Sequence, residues 1–284
     1  MTLPEKKRTL YVSDLDGTLL GADSRVSAFT ASMLDEMITH RNILFTIATA
    51  RTPATVVPIM SAVQSAALPF IVIGGAAWWS PIDGNYTCVN AMSHATVLAV
   101  DEVMSRHGLR PFIYCRAGSW LYSYHYGAMS EQETRFVSER TGLRFKQFVF
   151  DDPYYIEREH DTVMMYSMNR YAVLRDVRDD LIAAAVDCEV TLYHDIVDSD
   201  VGYLEVYSAG VTKAAAIMEM ARHVQADRVV VFGDNRNDIP MMRVADVSVA
   251  MGNAFDEVKN VATVVTGNNT DDAVARWIAA DIAL

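Results

Sequence analysis

With 284 residues, 51% of them hydrophobic, the chain is long enough to bury the core of one domain and to carry a second of ordinary size. A formal charge of −12 argues against nucleic acid, whose binding depends on cationic surface, but leaves small anionic ligands open because local cations set the field at a site. The longest apolar stretches, such as Phe70 to Trp79, are too short to span a bilayer, and Met1 to Arg8 carries charges with no signal-type hydrophobic region after it. Cys88, Cys115 and Cys188 lie far apart without metal-ligand spacing, so a disulfide framework is not implied and a cytoplasmic setting is the expectation.

The apolar run Thr9 to Ser13 predicts a first strand. A helix near Ser27 to His40 follows, with Met33, Leu34, Met37 and Ile38 as its apolar face, then a strand at Ile43 to Ala48, a helix near Pro53 to Ala66 and a strand at Phe70 to Ile73. This βαβ order implies a parallel sheet. Asp83-Gly84 marks a hairpin turn. From about Tyr86 to Val206 the pattern changes to short strands such as Phe112 to Cys115 and Val163 to Met168, with helices near Ala95 to His107 and Tyr171 to Ala185. Met164, Met165 and Met168 read as core filler there. The first pattern then resumes with a helix-forming stretch, Ala214 to Met220, and strands at Val229 to Phe232 and Val247 to Ala250. The fold class is therefore α/β. A Rossmann-like parallel-sheet core, residues 1–86 and 207–284, carries an inserted α+β domain, residues 87–206.

Four segments concentrate the chemistry. Asp14-Leu15-Asp16-Gly17-Thr18 puts two carboxylates at the carboxyl end of the first strand, where α/β folds place their sites, and such a pair can hold a metal and attack phosphorus. Thr49-Ala50-Arg51 ends the second strand, and Thr49 serves equally well as a helix cap before Pro53. Lys213 stands at a helix start, against the dipole that favours anions there, a conflict that a bound phosphoryl group resolves. Gly233-Asp234-Asn235-Arg236-Asn237-Asp238 follows a buried-strand run, and it is also a good turn sequence.

In this order the segments resemble the four motifs of the haloacid dehalogenase-like superfamily. The resemblance implies that Asp14 is the nucleophile forming an aspartyl-phosphate and that Asp16 is the general acid and base. It implies that Thr49 and Lys213 contact the transferring phosphoryl group, with Arg51 and Asn237 as further phosphate-binding residues. Magnesium is the implied cofactor, with Asp14, Asp16, Asp234 and Asp238 as its residues, Asp238 acting through a metal-bound water or by orienting its neighbours. Leu204-Glu205-Val206, Ala250-Met251-Gly252-Asn253-Ala254 and Thr266-Gly267-Asn268-Asn269 look like the Cof-type branch, which hydrolyses phosphate esters of small metabolites beneath a large cap; residues 87–206 would be that cap. Ala50, Gly74, Ala214 and Ala273 replace residues usual in the family, Gly74 standing for an asparagine.

The resulting expectation is a magnesium-dependent phosphatase acting on a small phosphorylated metabolite, sugar phosphates first, with no nucleic acid or membrane partner, as a monomer or small homo-oligomer. The alternatives are a phosphotransferase or phosphomutase sharing the same core residues, and a non-catalytic phospholigand-binding protein. Tyr122, Tyr124, His125, Tyr126, Tyr154 and Tyr155, with Arg116, form an aromatic and polar set that could cover a substrate; each could equally pack within the cap.

Overall fold

The computed structural model describes residues 8–151, 161–195 and 198–283; Tyr154 and Tyr155, and all of the amino-terminal stretch before Arg8, lie outside them. The chain divides into two compact units, one running to Thr87 and resuming at Thr212, the other Cys88–Val211. In chain order the first unit contributes β1 (Thr9–Ser13), α1 (Ala28–Arg41), β2 (Leu44–Ile47), α2 (Pro53–Met60), β3 (Phe70–Val72) and β4 (Ala77–Ser80), and β5 (Asn85–Val89) runs across the boundary. The second contains α3 (His94–Arg106), β6 (Phe112–Ala117), β7 (Trp120–His125), α4 (Glu131–Ser138), β8 (Lys146–Phe150), β9 (Asp161–Arg170), α5 (Tyr171–Ala183), β10 (Cys188–His194) and β11 (Val201–Ser208). The first unit is completed by α6 (Lys213–His223), β12 (Arg228–Gly233), α7 (Ile239–Val244), β13 (Val247–Ala250), α8 (Asp256–Val261), β14 (Val264–Val265) and α9 (Ala273–Ala283).

A five-stranded parallel sheet in the order β14-β13-β12-β1-β2 forms the first unit's centre. Leu10, Val12, Val230, Val231 and Phe232 are fully buried, as expected of central strands covered on both faces, where each such side chain contributes about 1.5–3 kcal/mol. From β1 the chain moves to β2 on one side, and the later segment returns as β12 on the other. The order reverses at β1, so a crevice lies beyond its carboxyl end.

Two expected elements differ. Helix α2 stops at Met60 rather than near Ala66, and beyond it Ser65 donates from its N–H and Oγ to Asp35 of α1, at 2.8 and 2.6 Å. Strand β3 meets the end of β2 in the expected parallel sense, at an Ala48–Ile71 bridge, but its ladder is the antiparallel one with β4. The cause is a tight reversal: Ile73, Gly74 and Gly75 take φ of +52°, +63° and +107° and return the chain before a crossover helix can form. Asp83-Gly84 makes its turn between β4 and β5.

The second unit is a six-stranded sheet, β10-β11-β9-β6-β7-β8, antiparallel except between β7 and β8. Helices α3 and α5 cover one face through Val100, Met104, Leu174, Val177 and Leu181 packed with Ile113, Met165, Leu204 and Val206. Met164, Met165 and Met168 are buried filler. On the other face Phe136 of α4 packs against Phe112, Phe148 and Tyr166. Among the described residues no helix is long and apolar enough to cross a membrane.

Candidate active site

Strand β1 delivers Asp14 to the crevice, where its N–H continues the ladder by donating to the Phe232 carbonyl at 3.0 Å. The next residues turn sharply: Gly17 takes φ +72°, and a Cβ there would lie 2.3 Å from Asp234 Oδ2. Only glycine lets the loop after β1 approach the loop after β12 this closely. Thr18 Oγ1 ties the two loops by donating to Asp234 Oδ1 at 2.9 Å.

Lys213 enters from the start of α6, whose first turn is capped by Thr212 Oγ1 accepting from the Ala215 N–H at 3.0 Å. Its buried ammonium donates to Asp14 Oδ1 at 2.7 Å and to Asp238 Oδ1 at 2.9 Å. The other Asp238 oxygen accepts from the N–H groups of Asp234 and Asn235, both at 3.1 Å. Asp238 is therefore a fully buried carboxylate whose two oxygens orient the lysine and the β12 loop. Gly75 completes the support: its Cβ would lie 2.4 Å from the Thr212 carbonyl oxygen, so the reversal after β3 packs directly on the backbone that presents Lys213.

Carboxylate oxygens of Asp14, Asp234 and Asp238 lie within 4.8 Å of one another. Burial pushes the Asp14 carboxyl well above the usual range, opposed by the Lys213 ammonium and assisted by Asp238. Asp234 is pushed up to about 6, first by burial and then by Asp238, with the Thr18 hydrogen bond opposing. Burial works against the Lys213 charge, but Asp14 and Asp238 outweigh it and hold its pKa above the usual amine value. Three carboxylates face one ammonium, so full ionisation of the trio leaves negative charge that Lys213 alone does not offset. An all-oxygen donor set of this kind suits a hard divalent cation such as magnesium.

Asp16, expected beside the trio, turns its carboxylate to Arg51, which donates from Nε at 2.7 Å and from Nη2 at 2.6 Å. Asp16 is exposed, whereas Asp14 and Lys213 are buried. Thr49 is buried, and its Oγ1 accepts from the Arg51 N–H at 3.1 Å. Asn237 is exposed on the short helical turn Arg236–Asp238.

The sequence model of the haloacid dehalogenase-like hydrolases matches residues 11–278. The chain belongs to that family. A Haemophilus influenzae protein provisionally named a phosphatase is 24% identical over 266 residues, 93% of this chain and 94% of its own. An Escherichia coli pyridoxal phosphate phosphatase is 54% identical over a shorter stretch of 52 residues, 18% of this chain and 19% of that protein. Among solved structures, a HAD subclass IIB sugar phosphatase superposes with a TM-score of 0.74 at 21% identity, covering 97% of this chain and 100% of its own.

In this HAD-like hydrolase, Thr18 and Gly75 hold parts of the site that sequence reasoning did not assign. The Gly74-Gly75 pair is the available signal, since adjacent glycines after a strand mark a reversal. Gly74 at φ +63° also explains its own departure from the family, because asparagine and glycine are the residues that tolerate this backbone region. The expected aromatic set of the second unit is dispersed. Tyr122 and Tyr124 pack into the core beneath α3 and α5, and His125 is buried and stacked on Phe112 at 4.5 Å between ring centroids. Arg116 pairs with Asp161, and Tyr126 is exposed. The opposite face instead gathers Tyr193 and Tyr207 on Glu205, at 2.8 and 2.7 Å, with Lys146 donating to Tyr114 Oη at 3.0 Å.

Proposed function

We propose that this hydrolase is a magnesium-dependent phosphatase of small phosphate monoesters, sugar phosphates foremost, working through an aspartyl-phosphate on Asp14. The observation that carries the reading is the Lys213 ammonium, held at 2.7 Å from Asp14 at the crevice beyond β1, with Asp234 and Asp238 alongside. A buried carboxylate so placed is aimed and partly neutralised, as attack on an anionic phosphoryl group requires. Asp14, Asp234 and Asp238 would hold magnesium, which when bound neutralises the nucleophile and the phosphoryl oxygens together. The relatives named as phosphatases support the reaction class.

An Asp14 oxygen forms a bond to phosphorus while the bond from phosphorus to the ester oxygen breaks. Asp16, released from Arg51 and protonated from solvent before the step, gives its proton to that departing oxygen, producing a free alcohol. Asp16 then takes a proton from water as the water oxygen attacks phosphorus, and the bond to Asp14 breaks to release phosphate. Lys213 and Thr49 lie at the oxygens that gain charge, with Arg51 and Asn237 as further phosphate contacts. Residues 87–206 would act as the cap that selects the alcohol portion.

The test is phosphate release from a panel of sugar phosphates, pyridoxal phosphate, nucleotides and p-nitrophenyl phosphate, with magnesium and with chelator, alongside Asp14→Asn. Magnesium-dependent release that falls by several orders of magnitude in the variant is the expected result. Release unchanged in Asp14→Asn, or none from a folded wild-type sample, overturns the reading.

A further inference from the structure

Two segments that carried the Cof-type resemblance, Ala250–Ala254 and Thr266–Asn269, take no part in the chemistry above. They form a clamp on the loop that carries Asp16. Asn253 Nδ2 donates to the carbonyl oxygen of Gly17 at 2.8 Å. The Asn269 N–H donates to Asn253 Oδ1 at 2.9 Å, and Asn269 Nδ2 donates to the Leu20 carbonyl oxygen at 2.7 Å. The backbone donor decides which end of the Asn253 amide faces each way: its oxygen is taken by an N–H, so its NH2 is left for Gly17.

The clamp itself is firmly seated. The Gly252 N–H donates to the Gly267 carbonyl at 2.8 Å, and a Cβ on Gly252 would lie 3.1 Å from the Asn268 backbone nitrogen, so the two segments touch backbone to backbone. The loop after β1 is consequently held from two sides. Thr18 ties it to Asp234, and the two asparagines fix the carbonyls of Gly17 and Leu20. Gly17 directly follows Asp16, and glycine is the residue least able to hold its own conformation. A bond to its carbonyl holds the Gly17–Thr18 peptide unit, the second after Asp16, and so restrains the turn on which Asp16 is carried.

We propose that Asn253, supported by Asn269, is a positioning residue that fixes the backbone turn following Asp16 and thereby holds Asp16 within reach of the departing ester oxygen. The inference rests on the phosphatase reading and extends it to residues outside the reacting set. Asn253 is exposed, so its hydrogen bond contributes little to global stability, whereas proton transfer is sensitive to sub-ångström placement.

The experiment compares wild type, Asn253→Asp, Asn253→Ala and Asn269→Ala on p-nitrophenyl phosphate and on the best sugar phosphate of the panel, with thermal unfolding of each. An aryl leaving group departs with little help from an acid; a sugar alkoxide needs the proton. Asn253→Asp keeps shape and loses the donor. The expected result is about a tenfold fall in kcat on the sugar phosphate, with KM within about twofold and loss on the aryl phosphate below about threefold. Asn269→Ala falls in the same direction by less. Equal loss on both substrates, or wild-type kinetics in Asn253→Asp and Asn253→Ala, overturns the positioning role while leaving the phosphatase reading intact. Wild-type protein inactive on every substrate overturns both.

Discussion

Arg51 grips Asp16 through two charge-assisted hydrogen bonds, at 2.7 and 2.6 Å, a fork that lysine cannot reproduce. The pair is partly exposed, with side-chain exposures of 28% and 54%, so its contribution to stability is under about 1 kcal/mol. Its consequence is orientation. Arg51→Ala is expected to lower kcat about tenfold, the factor that about 1.4 kcal/mol of lost positioning represents, with Arg51→Lys between variant and wild type. Steady-state kinetics beside thermal unfolding check this; a large loss of stability with kcat preserved would contradict it.

The raised carboxyls give metal-free protein a definite pH dependence. Asp234 moves from an ordinary value of 3.8 to about 6 on folding, so between those pH values the folded state holds more protons than the unfolded state. Stability from this group is present below about pH 4 and is lost as pH rises through about 6. Asp14, also raised, acts in the same direction. Magnesium binds the ionised carboxylates and should reverse the loss, so the rise in Tm on adding magnesium is expected to be larger at pH 7 than at pH 5. Thermal scans with chelator and with magnesium at the two pH values measure it, and a rise independent of pH would count against the three carboxylates as the metal site.

Gly75→Ala places a Cβ 2.4 Å from the Thr212 carbonyl oxygen on a residue at φ +107°. Backbone cannot give way as a flexible side chain can. The expected cost is about 1–3 kcal/mol by urea unfolding, with loss of activity because Lys213 follows directly. Gly84→Ala, at φ +61° with open space around it, isolates the conformational cost alone and is expected to lose only about 1 kcal/mol with activity retained. Equal behaviour of the two variants would remove the argument for close packing at Gly75.

The strands that carry the site were legible because they are central. Thr9–Ser13 and Val247–Ala250 fall where their β-rich apolar runs end, and Ser27 stands before α1 as a cap whose hydroxyl accepts from the Thr30 N–H. Pattern failed where the chain reverses or where a sheet has two covered faces. Phe70 to Ile73 reads as one more parallel strand, and only the Gly74-Gly75 pair that follows signals the reversal through positive φ. In the second unit both faces carry aromatic residues. Tyr122 and Tyr124 look as available to a ligand as Tyr114 and Tyr166, until helices α3 and α5 cover one side.

By itself the sequence determined the alternation of strands and helices, the carboxylates and lysine at their ends, and the family to which they belong. Those properties are written in local residue type and spacing, which burial of apolar runs and helix capping translate directly into elements. Tertiary structure alone decided that Lys213 bridges Asp14 and Asp238, that Asp16 turns to Arg51, and that Asn253 and Asn269 hold the loop after β1. Each of these joins residues from separate segments, Asn253 and Gly17 being 236 positions apart. The direction of a side chain at such a meeting depends on packing from several elements at once.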